Sequence, residues 1–200
     1  MSYQGKRALD LTLSVPLLIL SLPIQALAAL AIRISMGSPV LFKQTRPGKD
    51  ARPITVRKFR TMRPVDRSRG WVEDGSRLTR VGSFLRSTSV DELPTLLSVV
   101  RGEMSLVGPR PLLMAYLERY NPQQARRMEV LPGLTGLAQV NGRNAQSWDE
   151  RFAWDIQYVE TASLKLDLKI LLRTIISVAR REGISAQGQA TMAEFRGVDG

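Results

Sequence analysis

The sequence predicts a mostly α-helical fold with a small β-hairpin. A proline-broken, re-entrant membrane helix is expected over residues 1–36, and a compact cytoplasmic α/β domain with amphipathic interfacial helices over 37–200. Three observations predict this. Leu11 to Ile32 is a run of 22 residues without a charge, containing Pro16 and Pro23. Two short β-like runs flank a Pro-Gly turn, and the later segments carry helix-start signals and helical apolar spacing.

Taken as one helix, 22 residues at ~1.5 Å per residue would cover a hydrocarbon core of ~30 Å. A cleaved signal would use the triplet Ala26-Leu27-Ala28, but the run outlasts a signal's apolar core and continues to Ile32. A single crossing would put Lys6 and Arg7 on one side and the densely basic remainder on the other, against the positive-inside pattern. A buried core helix is disfavoured by the two prolines and by the lack of a polar face. The favoured reading is a re-entrant hairpin. A break at Pro23 leaves half-helices of ~10 residues, each reaching about 15 Å, and returns both basic flanks to the cytoplasmic face. Ser21 stands where its hydroxyl can bond a carbonyl that the proline leaves without a donor.

Val40 to Gln44 and Ile54 to Lys58 read as a hairpin around Arg46-Pro47-Gly48-Lys49-Asp50. Pro64 to Gly75 is polar, charged and Gly-containing, hence an exposed loop. Helices are expected over Ser89–Val100, Leu112–Tyr120, Pro122–Val130, Ser147–Thr161 and Ser163–Arg181, the last ended by Gly183. That last helix carries Lys165, Lys169, Arg173 and Arg180 opposite Leu164, Leu168, Leu171, Ile175 and Val178. Such a face suits a headgroup layer, or equally ordinary packing beneath a solvated basic stripe.

Composition narrows the chemistry. The chain has 29 Lys+Arg against 18 Asp+Glu, a net charge of +11, with no His and no Cys. Disulfides, thiolate nucleophiles, imidazole bases and zinc sites with sulfur or nitrogen ligands are excluded. A metal would be a hard ion such as Mg²⁺ or Mn²⁺ on oxygen ligands. Of the basic residues 23 are Arg, whose planar fork grips phosphate or carboxylate bidentately. Residues 43–80 alone hold 12 Lys+Arg and 4 Asp+Glu, a net +8. An anionic partner follows, with nucleic acid, lipid headgroups and phosphorylated metabolites all open.

The first place to look for a nucleophile is Arg86-Ser87-Thr88-Ser89-Val90-Asp91-Glu92-Leu93-Pro94. Ser89 and Glu92 have capping-box spacing, so helix initiation is the plain reading of this acidic pair. The functional reading uses the same geometry: residues one apart point about 100° apart, so one acid can attack while its neighbour handles metal or protons. In Gly108-Pro109-Arg110-Pro111, the prolines Pro109 and Pro111 restrict the backbone around Arg110 and make it a pre-organised anion clamp. Pro132-Gly133-Leu134-Thr135-Gly136-Leu137-Ala138-Gln139-Val140-Asn141-Gly142-Arg143 supplies glycines and amides for approach to a nucleotide, without P-loop or Rossmann spacing. Ser147 and Glu150 form a second capping box, and Trp148 and Trp154 read as packing residues.

In order along the chain, seven pieces resemble the bacterial sugar transferase family of monotopic phosphoglycosyl transferases. They are Lys6-Arg7 with Asp10; the Pro-broken apolar segment; Phe42-Lys43-Gln44-Thr45-Arg46-Pro47-Gly48; Lys58-Phe59-Arg60-Thr61-Met62; Asp91-Glu92-Leu93-Pro94; Gly108-Pro109-Arg110-Pro111; and Pro132-Gly133-Leu134-Thr135-Gly136. The chain looks most like the short enzymes resembling undecaprenyl-phosphate bacillosamine phosphotransferase, through the tail Gly183-Ile184-Ser185 to Phe195-Arg196-Gly197. The resemblance implies transfer of a sugar-1-phosphate from a UDP-sugar to undecaprenyl phosphate through an aspartyl-phosphosugar. UDP-N,N'-diacetylbacillosamine or a related amino sugar would be the donor, with Mg²⁺ as cofactor and Mn²⁺ as its substitute.

It further implies Asp91 as nucleophile, Glu92 as its partner in the dyad and with it a metal ligand, and Lys58, Arg60 and Arg86 on phosphate groups. Arg110, framed by Pro109 and Pro111, would engage the nucleotide, and Pro23 with Ser21 would form the membrane break. The family's break reads Ser-Pro, whereas here Leu22 precedes Pro23 and the serine is one residue earlier. Expected partners are membrane lipids, downstream glycosyltransferases and a second copy of the chain in a homodimer; nucleic acid is not expected. The expected location is the cytoplasmic face of the bacterial inner membrane. The alternative class is a membrane-tethered basic protein binding nucleic acid or anionic lipid, against which the basic stretch offers only Phe59 and Trp71 for base stacking.

Overall fold

The computed structural model describes residues 3–142, 146–180 and 194–197. Arg143, Gly183 and the tail segment Gly183-Ile184-Ser185 lie outside these. The first element, α1 (Lys6–Met36), is one helix of 31 residues with Pro16 and Pro23 inside it. The interruption expected at Pro23 is therefore absent. Each proline removes one donor from a long ladder, while Ser21 Oγ donates to the Leu18 carbonyl at 3.0 Å and receives the Gln25 amide at 2.9 Å. The carbonyl Ser21 satisfies is thus Leu18's, one residue before that of Ile19, which Pro23 leaves without its N–H.

Packing along one stripe also carries α1 through the prolines. Lys6, Asp10, Ser14, Ser21, Ala28 and Ile32, four or seven residues apart, are its buried positions. The opposite face is apolar and open, with Leu20 76% and Ile34 77% exposed. By length and composition this helix can cross a membrane. Both of its ends nevertheless dock on the same folded unit. At the N-terminus Arg7 donates to the carbonyls of Val99 and Val100 at 2.6 Å; at the C-terminus Ala28 and Ile32 pack with Phe59 and Leu85.

The hairpin forms as expected and extends further: β1 (Leu41–Pro47) and β2 (Pro53–Phe59) pair antiparallel, with Phe42 opposite Lys58 and Lys43 opposite Arg57. In the loop that follows, α2 (Asp74–Arg77) is a single turn. The next helix, α3 (Arg80–Ser87), was not expected from the sequence; Thr79 caps it by accepting the Gly82 N–H at 2.9 Å. The helix expected over Ser89–Val100 divides into a 3₁₀ turn, Val90–Thr95, and α4 (Leu96–Arg101). Pro94 cannot donate within that turn, which sets the boundary.

Leu112–Tyr120 is likewise a 3₁₀ segment, Met114–Arg119, and Pro122–Val130 is α5 (Pro122–Ala125) followed by a 3₁₀ turn over Arg126–Met128. A parallel pair of short strands, β3 (Ser105–Val107) and β4 (Gly133–Thr135), has no period to announce it. After α6 (Leu137–Val140) come α7 (Trp148–Thr161), with the expected Ser147–Glu150 capping box, and α8 (Leu164–Ala179), capped by Ser163. The main core gathers Val56, Leu96, Val99, Val107, Tyr158 and Ile170 from β2, α4, β3, α7 and α8, with Met104 from the turn before β3. On α8 the buried positions are Asp167 and Ile170, whereas Leu164, Leu168, Leu172 and Ile175 are exposed. The apolar face of α8 thus lies open, like that of α1.

A buried polar network fixes these two helices to β3. Lys6 Nζ meets Asp167 Oδ2 at 2.5 Å, the Val107 carbonyl at 2.8 Å and the Tyr158 hydroxyl at 3.1 Å. Tyr158 and Tyr3 donate to the two oxygens of Asp167 at 2.8 and 2.7 Å. One turn on, Asp10 Oδ1 accepts from Ser105 Oγ and the Leu106 N–H, both at 2.9 Å. Removing one partner of a buried pair strands the other charge. Lys6→Met is therefore expected to cost about 3 kcal/mol. In thermal unfolding of the detergent-solubilised chain that corresponds to a midpoint roughly 5–10 °C lower.

Candidate active site

The site grows from three backbone arrangements. The first is the turn entering Val90–Thr95. Ser89 sits in the left-handed region at φ 56°, ψ 14°, an uncommon conformation for a side-chain-bearing residue, and its hydroxyl caps nothing. The expected Ser89–Glu92 capping box does not form, because the Glu92 carboxylate is engaged elsewhere. Asp91 is buried in this turn, and Glu92 faces the end of β2, where Lys58 Nζ reaches Glu92 Oε1 at 2.5 Å. Thr95 Oγ1 donates to the Arg57 carbonyl at 2.8 Å and locks the turn onto the strand.

The second arrangement is the seating of α3. A Cβ on Gly82 would lie 1.9 Å from the Thr61 carbonyl oxygen, so only glycine lets the helix touch the chain leaving β2. One turn later Arg86 Nε donates to Thr61 Oγ1 at 3.0 Å, which leaves its charge beside Asp91.

The third is the joint between two of the sequence motifs. Gly133 donates to the Pro109 carbonyl and Gly108 to the Thr135 carbonyl, each at 2.9 Å. A Cβ on Gly108, Gly133 or Gly136 would fall 2.1–2.4 Å from facing backbone. These glycines therefore serve close backbone packing, rather than the approach to a nucleotide expected of their stretch. What the packing presents is Arg110, whose Nη2 meets the same Glu92 Oε1 at 2.7 Å. A residue not singled out in the sequence steadies it: Arg127 Nη2 donates to the Arg110 carbonyl at 2.7 Å, and Arg127 is itself held by buried Asp155 at 2.6 Å. Arg127 stands in a run of two arginines with no spacing that marks it.

Two adjacent carboxylates are thereby driven apart. Burial alone would raise Glu92, but Arg110 and then Lys58 outweigh it and hold this carboxyl well below the usual range. For Asp91, burial and then the neighbouring Glu92 charge dominate and push it up to about 6, against the opposing pull of Lys58, Arg86 and Arg110. Lys58 is lowered by burial and by Arg110, with Glu92 restoring part of its charge preference. Near pH 7 both acids are ionised. Only Glu92 is paired; Asp91 accepts no side-chain hydrogen bond among the described residues and remains open for attack.

Of the expected site residues, Asp91, Glu92, Lys58, Arg86 and Arg110 converge, with Pro109 and Pro111 framing the last. Arg60 does not join them. Its guanidinium donates to the carbonyls of Met36, Gly37 and Ser38 at 2.5, 2.9 and 3.1 Å and closes the C-terminus of α1, since it stands past the end of β2 where that helix stops. For a metal, no group of three or more acidic side chains occurs among the described residues. The open Asp91 carboxylate fits a magnesium ion that takes its remaining ligands from water and substrate phosphates. Glu92 fits less well, because Oε1 already carries two cations.

Comparison with known proteins identifies the family. The family model described as bacterial sugar transferase matches residues 1–181. An uncharacterized sugar transferase, EpsL, of Bacillus subtilis strain 168 is 49% identical over 193 residues, covering 96% of both chains. A UDP-glucose:undecaprenyl-phosphate glucose-1-phosphate transferase of Caulobacter vibrioides is 45% identical over 184 residues, 86% of this chain and 69% of that one. Its Escherichia coli strain K12 namesake is 39% identical over 85% of this chain, which spans 39% of that relative's length.

The raised Asp91 has a consequence for stability. Between about pH 4 and 6 the folded state holds a proton that the unfolded chain, with a carboxyl near 3.9, has already lost, so stability falls across that window and the full cost of ionised Asp91 is in place above about pH 6. Asp91→Asn is expected to raise the unfolding midpoint at pH 7.5 by roughly 2–4 °C. The gain should shrink as the pH falls through 6 and vanish near 4, which a paired set of melts at graded pH checks.

Proposed function

Because the chain belongs to the bacterial sugar transferase family, we propose that it moves a sugar-1-phosphate from a UDP-sugar to undecaprenyl phosphate, releasing UMP. The observation that carries this reading is the division of labour in the acidic pair: Glu92 neutralises and orients two cations, while Asp91 stays ionised, buried and unpaired beside them. Phosphoryl transfer to an anionic nucleophile is governed by positioning and charge neutralisation. An Asp91 oxygen attacks the phosphorus that bears the sugar; the bond to the bridging oxygen breaks, and its electron pair leaves with UMP. A phosphate oxygen of undecaprenyl phosphate then attacks the same phosphorus and restores the Asp91 carboxylate.

Arg86 and Lys58 hold the reacting phosphates in this scheme, and Arg110 engages the nucleotide. Mg²⁺, when bound with the diphosphate, supplies further neutralisation of charge developing on its oxygens. The reaction joins a water-soluble donor to a lipid acceptor, and the fold supports work at a membrane face. Both ends of α1 dock on the same domain, so the unbroken helix would lay its open apolar face against one leaflet, a monotopic placement with α8 lying in the interface. The basic flanks support the cytoplasmic side for this placement, by the positive-inside pattern.

The test is UMP release from UDP-sugars incubated with detergent-solubilised protein and undecaprenyl phosphate, with and without Mg²⁺. Two relatives are named as glucose-1-phosphate transferases. UDP-glucose therefore stands beside UDP-N,N'-diacetylbacillosamine in the panel. Metal-dependent release is expected from the wild type and a fall of at least about 10³-fold in Asp91→Asn, the scale for losing a nucleophile; undiminished turnover in that variant would sink the proposal. Since Asp91 must be ionised, the rate should fall about tenfold per unit below pH 6, and a flat profile between pH 5 and 7 would contradict its role.

A further inference from the structure

The reaction leaves most of the basic stretch unused. Of its cations Lys58 is spent on Glu92, Arg60 on the end of α1, Arg69 on Asp66 and Arg77 on Asp74. Arg63 and Arg80 have no carboxylate within 4 Å among the described residues, yet both line one open cleft of about 330 Å³. The cleft lies between the last turn of α1 and the first turn of α3, whose contact is marked by Thr79 Oγ1 at 3.6 Å from Met36 Sδ. Ser35 and Thr79 add hydroxyl groups, and Leu78 and Val81 form an apolar wall.

The cleft is also pre-organised. The Arg63 N–H donates to the Arg77 carbonyl and Arg77 Nε to the Arg63 carbonyl, both at 2.9 Å. The Arg63 guanidinium then lies 4.4 Å from the centre of the Trp71 ring. Arg69 lies 5.2 Å from the same ring, so Trp71 is occupied by cations and poorly placed to stack a nucleobase. Beside the cleft the surface is apolar: Ile34 precedes Ser35 on α1, and Phe84, one turn on from Arg80, is 59% exposed. Two uncompensated guanidiniums beside an apolar rim, at the end of a helix with an open apolar face, match a phosphodiester headgroup whose acyl chains run along that face.

We propose that the Arg63–Arg80 cleft binds the headgroup of an anionic phospholipid, a site separate from the one that handles the reacting phosphates. It orients the domain on the membrane by a charged contact beyond the end of the apolar helix. Lipid retention, rather than UMP release, reads out the cleft and its charges.

The test is native mass spectrometry of the full chain in neutral detergent, offered phosphatidylglycerol and phosphatidylcholine in equal amounts. Circular dichroism is measured alongside as a check of folding. Each guanidinium at an anionic surface contributes a factor of about five. Wild type is therefore expected to retain phosphatidylglycerol roughly 20-fold over phosphatidylcholine, a preference lost in Arg63→Gln/Arg80→Gln and largely restored in Arg63→Lys/Arg80→Lys. Arg52→Gln/Arg67→Gln, outside the cleft, should keep it. Equal retention of the two lipids, or an unchanged preference in the folded Gln variant, overturns the proposal. So does displacement of phosphatidylglycerol by an equal amount of undecaprenyl phosphate or of a single-stranded oligonucleotide, which would assign the cleft to another ligand.

Discussion

The rest of the structure depends on one buried ion pair, Lys6 with Asp167. A lysine and a carboxylate out of water are costly unless each finds further partners, and here they do: two tyrosines complete the carboxylate, and the Val107 carbonyl with the Tyr158 hydroxyl completes the ammonium. The pair joins the first turn of α1 to the first turn of α8, the two helices whose apolar faces lie open. It also fixes both to the last residue of β3. The next residue is Gly108, so the chain that turns into the Arg110 loop starts from the point where the apolar helices are anchored.

From that anchor the site is assembled by backbone contact rather than by side-chain reach. Gly108 against Gly133 and Gly82 against Thr61 are the two closest approaches, and each brings one arginine toward the acidic turn. The result separates two carboxylates that are neighbours in sequence. Glu92 is wrapped by Lys58 and Arg110; Asp91 keeps the burial without a direct partner. On the proposed reading, adjacent acids in unlike environments supply an orienting group and a reacting group from the same chemistry, in a chain without histidine.

The elements legible in the sequence were those set by local signals. The hairpin followed from its Pro-Gly turn, and α7 and α8 from Ser147, Glu150 and Ser163 at their caps. The acidic pair and Arg110 were legible as candidates because residue types alone limit the chemistry. What stayed hidden was set by contact between distant segments. Three-residue strands such as β3 and β4 have no period, and the role of Gly133 became visible only once Gly108 stood opposite it. Arg60 shares a motif with Lys58 but caps α1, because its position past the strand end faces carbonyls that a sequence pattern does not register. Helix α1 runs through Pro23 because tertiary packing along Ala28 and Ile32 outweighs a local breaker.

Placing the chemistry beside a membrane also constrains how the nucleophile is tuned. On the proposed reading the acceptor phosphate comes from the bilayer and the donor diphosphate from water, so the acid must meet two anions in turn. A carboxylate lowered by direct pairing with arginine would be a weaker nucleophile and would have to give up its partner to react. An acid raised by burial, with the cations held one residue away on Glu92, keeps its basicity and still attracts the phosphates. The same logic explains why Lys58 and Arg110 bind Glu92 rather than Asp91. Glu92 satisfies them without delocalising the charge that attacks, and an arriving diphosphate can share those cations without first displacing the nucleophile from them.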